Sequence, residues 1–369
     1  MGVVESAHDM TTGGAAPTAS CLRWLGYPYE LAARVRVRLY EHGWFHVYRL
    51  PRPVLSVGNL TVGGTGKTPV VIFLVEQLLA QGKRVAVLSR GYRRRSQAAH
   101  LLVSDGRRVL VGPEDAGDEP HLIAMRCPGA VVAVGADRVT LGQWVLARAA
   151  VDCFVLDDGF QHLRLHRDVN LLLLDATDLH GIGAALPVGR LREPLSAARR
   201  ASAIVVTRAA TERDAEPVWK AVVQACGALP PPIRVAFRAE DFRRVGGDAV
   251  RPLGSFEGRA VLLFSGVGNA SSFHGLARGL GLNVRDTVVF PDHVRYSPSV
   301  VETLHQRARQ AGADLMVTTE KDAGKVAPFL SADDECWAVR LRTDVVAGQD
   351  RLAQVLRVTQ SAAVQEGRA

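Results

Sequence analysis

The stretch Val54-Leu55-Ser56-Val57-Gly58-Asn59-Leu60-Thr61-Val62-Gly63-Gly64-Thr65-Gly66-Lys67-Thr68-Pro69 sets a short apolar run before a glycine-rich turn. A lysine, a threonine and an apolar helical pattern follow. That is the layout of a phosphate-binding loop between a strand and a helix. Glycines let backbone N–H groups converge on phosphate oxygens, and the helix N-terminus adds the positive end of its dipole. Lys67 is placed for the β- and γ-phosphates of a nucleoside triphosphate, and Thr68 offers a hydroxyl to Mg²⁺. Pro69 suits a first helical turn, where a missing N–H costs nothing. The strict pattern wants glycine where Thr61 stands, and a lysine-bearing variant of the loop wants lysine where Val62 stands. A chance Gly-Lys-Thr in a loop is the alternative reading.

Val155-Leu156-Asp157-Asp158 ends a second apolar run with two acids. In a phosphate-loop fold a carboxylate there holds Mg²⁺ directly or through water; an Asp-Asp-Gly surface turn is the plainer account. Gln161 and His162 follow within a turn and can orient ligands or simply pack. Gly117-Asp118-Glu119-Pro120 precedes an apolar helical pattern, so Asp118 reads either as a helix cap or as a base that takes a hydroxyl proton. Phe290-Pro291-Asp292-His293 offers an Asp-His pair far along the chain, which could meet Asp118 across a cleft. In Leu186-Pro187-Val188-Gly189-Arg190-Leu191-Arg192-Glu193-Pro194, Arg190 or Arg192 could stabilise transferring phosphate charge or pair with Glu193. Thr318-Thr319-Glu320-Lys321-Asp322 is loosely like a base-reading loop of GTPases, and ordinary charge pairing explains it as well.

The elements that must position these residues alternate in a strand, loop, helix rhythm. Apolar runs at Val54 to Val57, Val85 to Leu88, Ala130 to Val134, Cys153 to Leu156, Leu171 to Leu174 and Ala203 to Val206 are separated by helical patterns. Runs without alternation imply a parallel sheet covered on both faces. Pro230-Pro231-Pro232 closes this half. Ile233 to Phe237 and the region of Gly246-Gly247 read as a short β linker. Val261 to Phe264, Leu315 to Thr318 and Cys336 to Leu341 then mark a second α/β unit, where Gly266-x-Gly268 lacks the third glycine of a nucleotide fingerprint.

Before the loop, Trp24, Tyr27, Tyr29, Tyr40, Trp44, Phe45 and Tyr48 crowd with six arginines, opposed only by Glu30 and Glu41. Leu31, Val35 and Leu39 predict a helix from about Glu30 to His42. Aromatics beside arginines suit a membrane interface, and a helix docked on the core with solvated arginines is the other reading. The expected organisation is a disordered tail at 1–20, a membrane-associating helix region at 21–53, a P-loop domain at 54–232, a β linker at 233–255 and a C-terminal α/β domain at 256–369.

The chain has 369 residues, a formal net charge of +8 and 47% hydrophobic residues, enough for about two soluble domains. A basic balance favours anionic partners, namely nucleic acid, anionic lipid or a phosphorylated substrate. The five cysteines are scattered without C-x-x-C, which argues against a zinc site or disulfide framework and for a reducing compartment. No apolar run approaches the roughly 20 residues of a spanning helix, and the first residues do not read as a signal peptide.

These motifs together resemble the tetraacyldisaccharide 4'-kinases of lipid A biosynthesis, over roughly Cys21 to Leu356. The likeness rests on Ser56 to Asn59 through Thr68-Pro69, Ser89-Arg90-Gly91-Tyr92, Gly117 to Pro120 and Asp157-Asp158-Gly159-Phe160-Gln161-His162. Leu191 to Pro194, Phe290-x-Asp292-His293 and Thr319 to Asp322 extend it. The resemblance implies two α/β/α domains joined by a β linker, and a kinase using ATP and Mg²⁺ on the 4'-hydroxyl of a lipid disaccharide 1-phosphate. It implies work at the cytoplasmic face of the bacterial inner membrane, with the N-terminal helix at the bilayer. Thr61 to Thr68 would hold ATP, Thr68 with Asp157 or Asp158 the metal, and Asp118 would be the base, partnered by His293. Lys67 joins that catalytic set, and Arg90, Glu119, Gln161 and Arg192 would support it. Thr61 in place of glycine is typical of this family. No nucleic acid and no obligate protein partner are expected. The rival readings are a P-loop GTPase or ATPase switch or metallochaperone, with Lys321-Asp322 reading guanine, and a basic nucleic-acid-binding ATPase module. The latter wants aromatics spread over a basic face, whereas here they gather at one end.

Overall fold

The computed structural model describes residues 26–361, with side chains described to residue 359. The expected tail at 1–20 and the first residues of the aromatic region, 21–25, lie outside the described residues. In chain order, helix α1 spans Gly26–Glu41, strand β1 Val54–Asn59, α2 Lys67–Ala80, β2 Val85–Ser89 and β3 Leu101–Asp105. Helix α3 spans Asp118–Arg126, β4 Val131–Val134, α4 Arg138–Leu146, β5 Cys153–Asp157, β6 Val169–Asp175, β7 Ala203–Thr207 and α5 Glu212–Cys226. Then come β8 Ile233–Arg244, β9 Val250–Arg251, β10 Ala260–Ser265, α6 Ala270–Gly279, β11 Asn283–Val289, α7 Pro298–Ala311, β12 Leu315–Thr319, α8 Glu320–Val326, β13 Cys336–Ala347 and α9 Gln349–Ser361.

All thirteen strands belong to one sheet, in the order β11-β10-β12-β13-β8-β7-β6-β1-β5-β2-β4-β3, with β9 on β8. The central strands β1, β2, β5, β6 and β7 are buried at every residue, as their unbroken apolar runs require. Within them, parity still assigns faces: Leu55, Val57, Cys153 and Val155 pack against α2 on one side, while Val54, Phe154 and Leu156 pack on the other. Asp157 continues the parity of Val155 and ends its strand level with Val57 of β1. The strand ends thus deliver the phosphate loop and the acids to one edge.

The expected short linker is a twelve-residue strand: β8 pairs parallel with β7 over Ile233 and Arg234, then antiparallel with β13 from Arg234 to Arg244. Its arginines and acids alternate with Val235, Ala236 and Phe242, which hides its length in the sequence. Beyond the linker, α9 returns to the first half, where Leu352, Val355 and Leu356 join the core beneath α2. The edge strands β3 and β11, unanticipated from the sequence, are only partly buried. Helix α1 begins four residues before the expected Glu30, because Pro28 fits a first turn. Cys127, Cys153, Cys226 and Cys336 are free and buried.

Arg126, at the end of α3, ties the halves together. Its Nη1 lies 2.9 Å from each carboxylate oxygen of Glu320 on α8 and 3.1 Å from the carbonyl of Leu341 on β13. Both side chains are largely buried, at 11% and 15% exposure. Removing one partner of such a pair strands the other charge, at a cost of about 3–5 kcal/mol. R126M is expected to lower the urea midpoint correspondingly; an unchanged midpoint would show that the pair does not hold the halves together.

Candidate active site

The phosphate loop leaves β1 after Asn59 and enters α2 at Lys67. Gly66 is the cap residue in the left-handed region (φ +77°), and no side chain caps the helix. The first-turn N–H groups of α2 are therefore open to an anion. Gly66 has no substitute here: a Cβ would lie 2.5 Å from the Phe237 ring of β8. Neighbouring segments hold the loop's outward carbonyls. Arg190 donates to Val62 O at 2.8 and 2.6 Å, the Thr207 hydroxyl donates to Thr65 O at 2.9 Å, and Arg208 donates to Gly64 O at 3.3 Å. Of the loop's own N–H groups, those of Val62 and Thr65 donate to Arg190 O at 2.8 Å and Gly63 O at 3.2 Å. Lys67 reaches back to Asn59 Oδ1 at 3.3 Å and stands 3.6 Å from Asp158.

The two acids after β5 occupy different environments. Asp157 is buried and accepts a hydrogen bond from Ser89 at 2.9 Å. Burial, then the charges of Glu119 and Asp158, push its carboxyl up to about 6. Asp158 turns the other way on a left-handed backbone (φ +53°). Burial would raise it too, but Lys67, Arg192 and Arg138 outweigh that and hold it below the usual carboxylate range. Arg192 meets Asp158 at 2.9 Å. His162 is half-buried, its enclosed Nε2 has no partner among the described residues, and desolvation pulls it down to about 4, so it packs as a neutral ring.

Asp118 opens α3 but does not cap it: the cap residue is Gly117, and no side chain bonds the first turn. Its Oδ2 instead lies 3.1 Å from Nδ1 of His293, 175 residues away. Burial alone would raise the Asp118 carboxyl; the His293 hydrogen bond, with Lys325, Lys321 and the imidazole, brings it below its ordinary value. His293 sits on a left-handed backbone (φ +63°), packs edge-on to Tyr92 and has Nε2 4.0 Å from Glu119 and 3.7 Å from Asp292.

A cavity of about 1260 Å³ joins these parts. Val62 to Thr68, Arg90, Glu119, Asp157, Asp158, Gln161, Arg192 and His293 line it. Thr61 does not: it is buried, within reach of Asn59 at 3.4 Å and bridged to Leu191. Asp118 stands just behind His293. The remaining sequence alternatives resolve by contact. Arg190 props the loop and pairs with Asp178 at 2.9 Å, while Glu193 bonds Arg200 rather than Arg190 or Arg192. Lys321 spans Glu119 at 3.1 Å and Asp292 at 3.0 Å. Asp322 is fully buried and accepts from Gly266 N–H and the Thr319 hydroxyl, each at 2.8 Å. Neither is free to read a base. Helix α6, after Gly266-x-Gly268, is capped by the Asn269 side chain, so its N-terminus is not open as that of α2 is.

Sequence reasoning overlooked Thr207, Arg208 and Lys325 as parts of this arrangement, and named Asn59 only as part of a motif. Ser89 was quoted only as part of a motif. The signal for Ser89 was available, since it ends a buried strand beside β5; the others depend on contacts between distant segments.

The open helix end, the braced glycine loop and the acids at the neighbouring strand end define a nucleoside-triphosphate-binding protein of the P-loop type. Comparison with known proteins is specific. The family model for tetraacyldisaccharide-1-P 4'-kinase matches residues 18–360. The tetraacyldisaccharide 4'-kinase of Geobacter metallireducens is 43% identical over 83% of this chain and 88% of its own. That of Anaeromyxobacter sp. strain Fw109-5 is 39% identical over 96% of both. The crystal structure of LpxK from Aquifex aeolicus in complex with ATP superposes with a TM-score of 0.73 at 33% identity, covering 93% of this chain and 99% of that one. The chain belongs to the tetraacyldisaccharide 4'-kinase family.

The loop geometry makes a direct prediction. Alanine at position 66 would hold a left-handed backbone, at about 1–2 kcal/mol, and push against Phe237. G66A is expected to keep its circular dichroism spectrum and lose at least about tenfold in ATP affinity by calorimetry. Wild-type affinity in G66A would show that the turn is not needed.

Proposed function

We propose that the protein transfers the γ-phosphate of ATP to the 4'-hydroxyl of a tetraacyldisaccharide 1-phosphate, a step of lipid A biosynthesis. The observation that carries this reading is the Asp118–His293 pair, 3.1 Å apart and set beside the same cavity as the glycine loop. A switch protein needs a loop and a metal site; only transfer to an alcohol also calls for a base at the far wall. Phosphoryl transfer is mostly positioning and charge stabilisation. Gly63 to Thr68 cradle the phosphates, Lys67 reaches the β- and γ-oxygens, and Arg90 and Arg192 add positive charge around the transferring group. Asp118 with His293 accepts the proton of the acceptor hydroxyl, and Glu119 and Gln161 line the path between them.

Thr68, Asp157 and Asp158 would hold Mg²⁺. The donor set fits: all are oxygens, and Asp158 Oδ1 is buried without a hydrogen bond among the described residues. No group of three or more His, Cys, Asp and Glu among the described residues could hold a metal alone, which suits an ion that keeps waters and substrate phosphates as ligands. Once bound, Mg²⁺ neutralises phosphate charge during transfer. Asp157, raised to about 6, must be ionised to bind it.

The lipid acceptor accounts for α1. Tyr27, Leu31 and Val35 form one stripe, 68%, 63% and 45% exposed, and Trp44 beyond the helix is 80% exposed. Among the described residues no helix is long and apolar enough to cross a membrane. The helix region therefore lies on a bilayer surface, with arginines at the lipid phosphates, at the cytoplasmic face of the inner membrane. Leu31→Glu is expected to cut co-sedimentation with anionic vesicles severalfold while the protein stays folded; undiminished binding would place the contact elsewhere.

Purified protein given tetraacyldisaccharide 1-phosphate, ATP and Mg²⁺ should form the bis-phosphorylated lipid, and its absence would refute the assignment. In that assay D118A should lose about 10²–10⁴-fold in kcat with ATP affinity intact. Lost ATP binding would instead make Asp118 part of the nucleotide scaffold.

A further inference from the structure

We propose that Lys325 is a positioning residue for the Asp118–His293 pair, its ammonium fixing the carboxylate so that one oxygen meets His293 and the other is left for the acceptor hydroxyl. This rests on the kinase reading given above. Lys325 stands in the last turn of α8, its side chain only 9% exposed. Nζ lies 3.3 Å from Asp118 Oδ2 and 2.9 Å from Asp322 Oδ1. Asp322 is itself fixed by the Gly266 N–H and the Thr319 hydroxyl. A chain of contacts therefore runs from the loop after β10 through Asp322 and Lys325 to Asp118. That chain crosses between the halves of the molecule, since Asp118 belongs to the first and the lysine, its anchor and His293 to the second.

Both His293 and Lys325 approach the same oxygen of Asp118, Oδ2. Among the described residues, Oδ1 receives no hydrogen bond. The lysine acts as a point charge here: neither Lys325 Nζ nor Asp322 Oδ1 makes a hydrogen bond among the described residues, in spite of their closeness.

The charges around Asp118 single out this lysine. Its own helix contributes Glu119 and His121, the loop after β11 contributes Asp292, His293 and Tyr296, and α8 contributes Lys321, Asp322 and Lys325. Lys321 is engaged by Glu119 and Asp292. Lys325 alone of the two ammonium groups is in contact with the Asp118 carboxylate. Burial works to protonate Asp118, and the lysine works against burial. A base must be ionised to act, so weakening that opposition moves the acid limb of the rate profile to higher pH.

The test is kcat and KM for lipid and for ATP from about pH 4 to pH 9, for wild type, K325M and K325R, with thermal unfolding alongside. K325M is expected to lose about tenfold or more in kcat at neutral pH through a misplaced carboxylate, and in addition to move the acid limb to higher pH. ATP KM should stay within about twofold, and K325R should recover most of the loss. K325Q, uncharged but able to hydrogen-bond both carboxylates, takes the place of K325M where that variant does not stay folded. An unshifted acid limb, with a loss uniform in pH and matching the loss of folded protein, would overturn the proposal and leave Lys325 a structural counter-charge. If the wild type makes no phosphorylated lipid, the kinase reading falls, and this inference with it; product from the wild type with an unshifted K325M profile removes the inference alone.

Discussion

The antiparallel pairing of β8 with β13 is the constraint on which the site depends. Glycine loop and acids come from one half of the chain and His293 from the other, and this ladder, braced by the Arg126–Glu320 pair, sets their separation. Its register runs from Arg234 opposite Ala347 to Arg244 opposite Trp337. The strand serves the loop directly as well, since Phe237 of β8 packs where a Cβ on Gly66 would stand. On β13, Thr343 donates to the carbonyl of Pro69 in the first turn of α2, and Leu341 receives Arg126. The ladder shifts register after Arg340 and after Val345 and is otherwise paired from end to end, and paired backbone yields little to local strain. A sheet shared by both halves therefore fixes His293 against Asp118 more tightly than a flexible linker would.

Electrostatics holds three acids of the cleft, Asp157 buried and Asp118 and Asp158 half-buried, in different states. Among the described residues Asp157 has no cation in direct contact and rises to about 6, whereas Asp158, between Lys67 and Arg192, falls. Asp118 also falls, held by His293 and the lysines of α8. One environment disfavours charge until a cation arrives; the other two maintain it beforehand. Environments that push neighbouring carboxyl groups apart are how one site assigns different roles to one residue type.

Much of this was legible in the sequence because its signals are local. The glycine loop, the apolar runs of the central strands and the acids after Leu156 are patterns of a few residues, and burial on both faces leaves them no alternation to blur. The edge strands β3 and β11 were not legible, since charges interrupt them, and β8 was visible only in its first part. Asp118 and His293 could be nominated, yet their meeting could not be derived, because sheet order rather than periodicity brings together residues 175 apart. Lys325 had no local signal at all; a lysine four residues after Lys321 reads as a solvated helix face until α8 is seen packed against α3.

The aromatic helix is wired into the site rather than appended to it. Arg36 of α1 donates to the carbonyl of Gln161 at 3.2 Å, and Gln161 donates its amide to the carbonyl of Asn59 at 2.9 Å. Asn59 in turn receives Lys67 at 3.3 Å. Tyr29, Ala32, Ala33 and Arg36 line the same cavity as the glycine loop. An acceptor whose acyl chains stay in a bilayer can offer its sugar only a short distance above the lipid phosphates. On the kinase reading proposed above, α1, as one wall of the cavity, would set the nucleotide loop at that level.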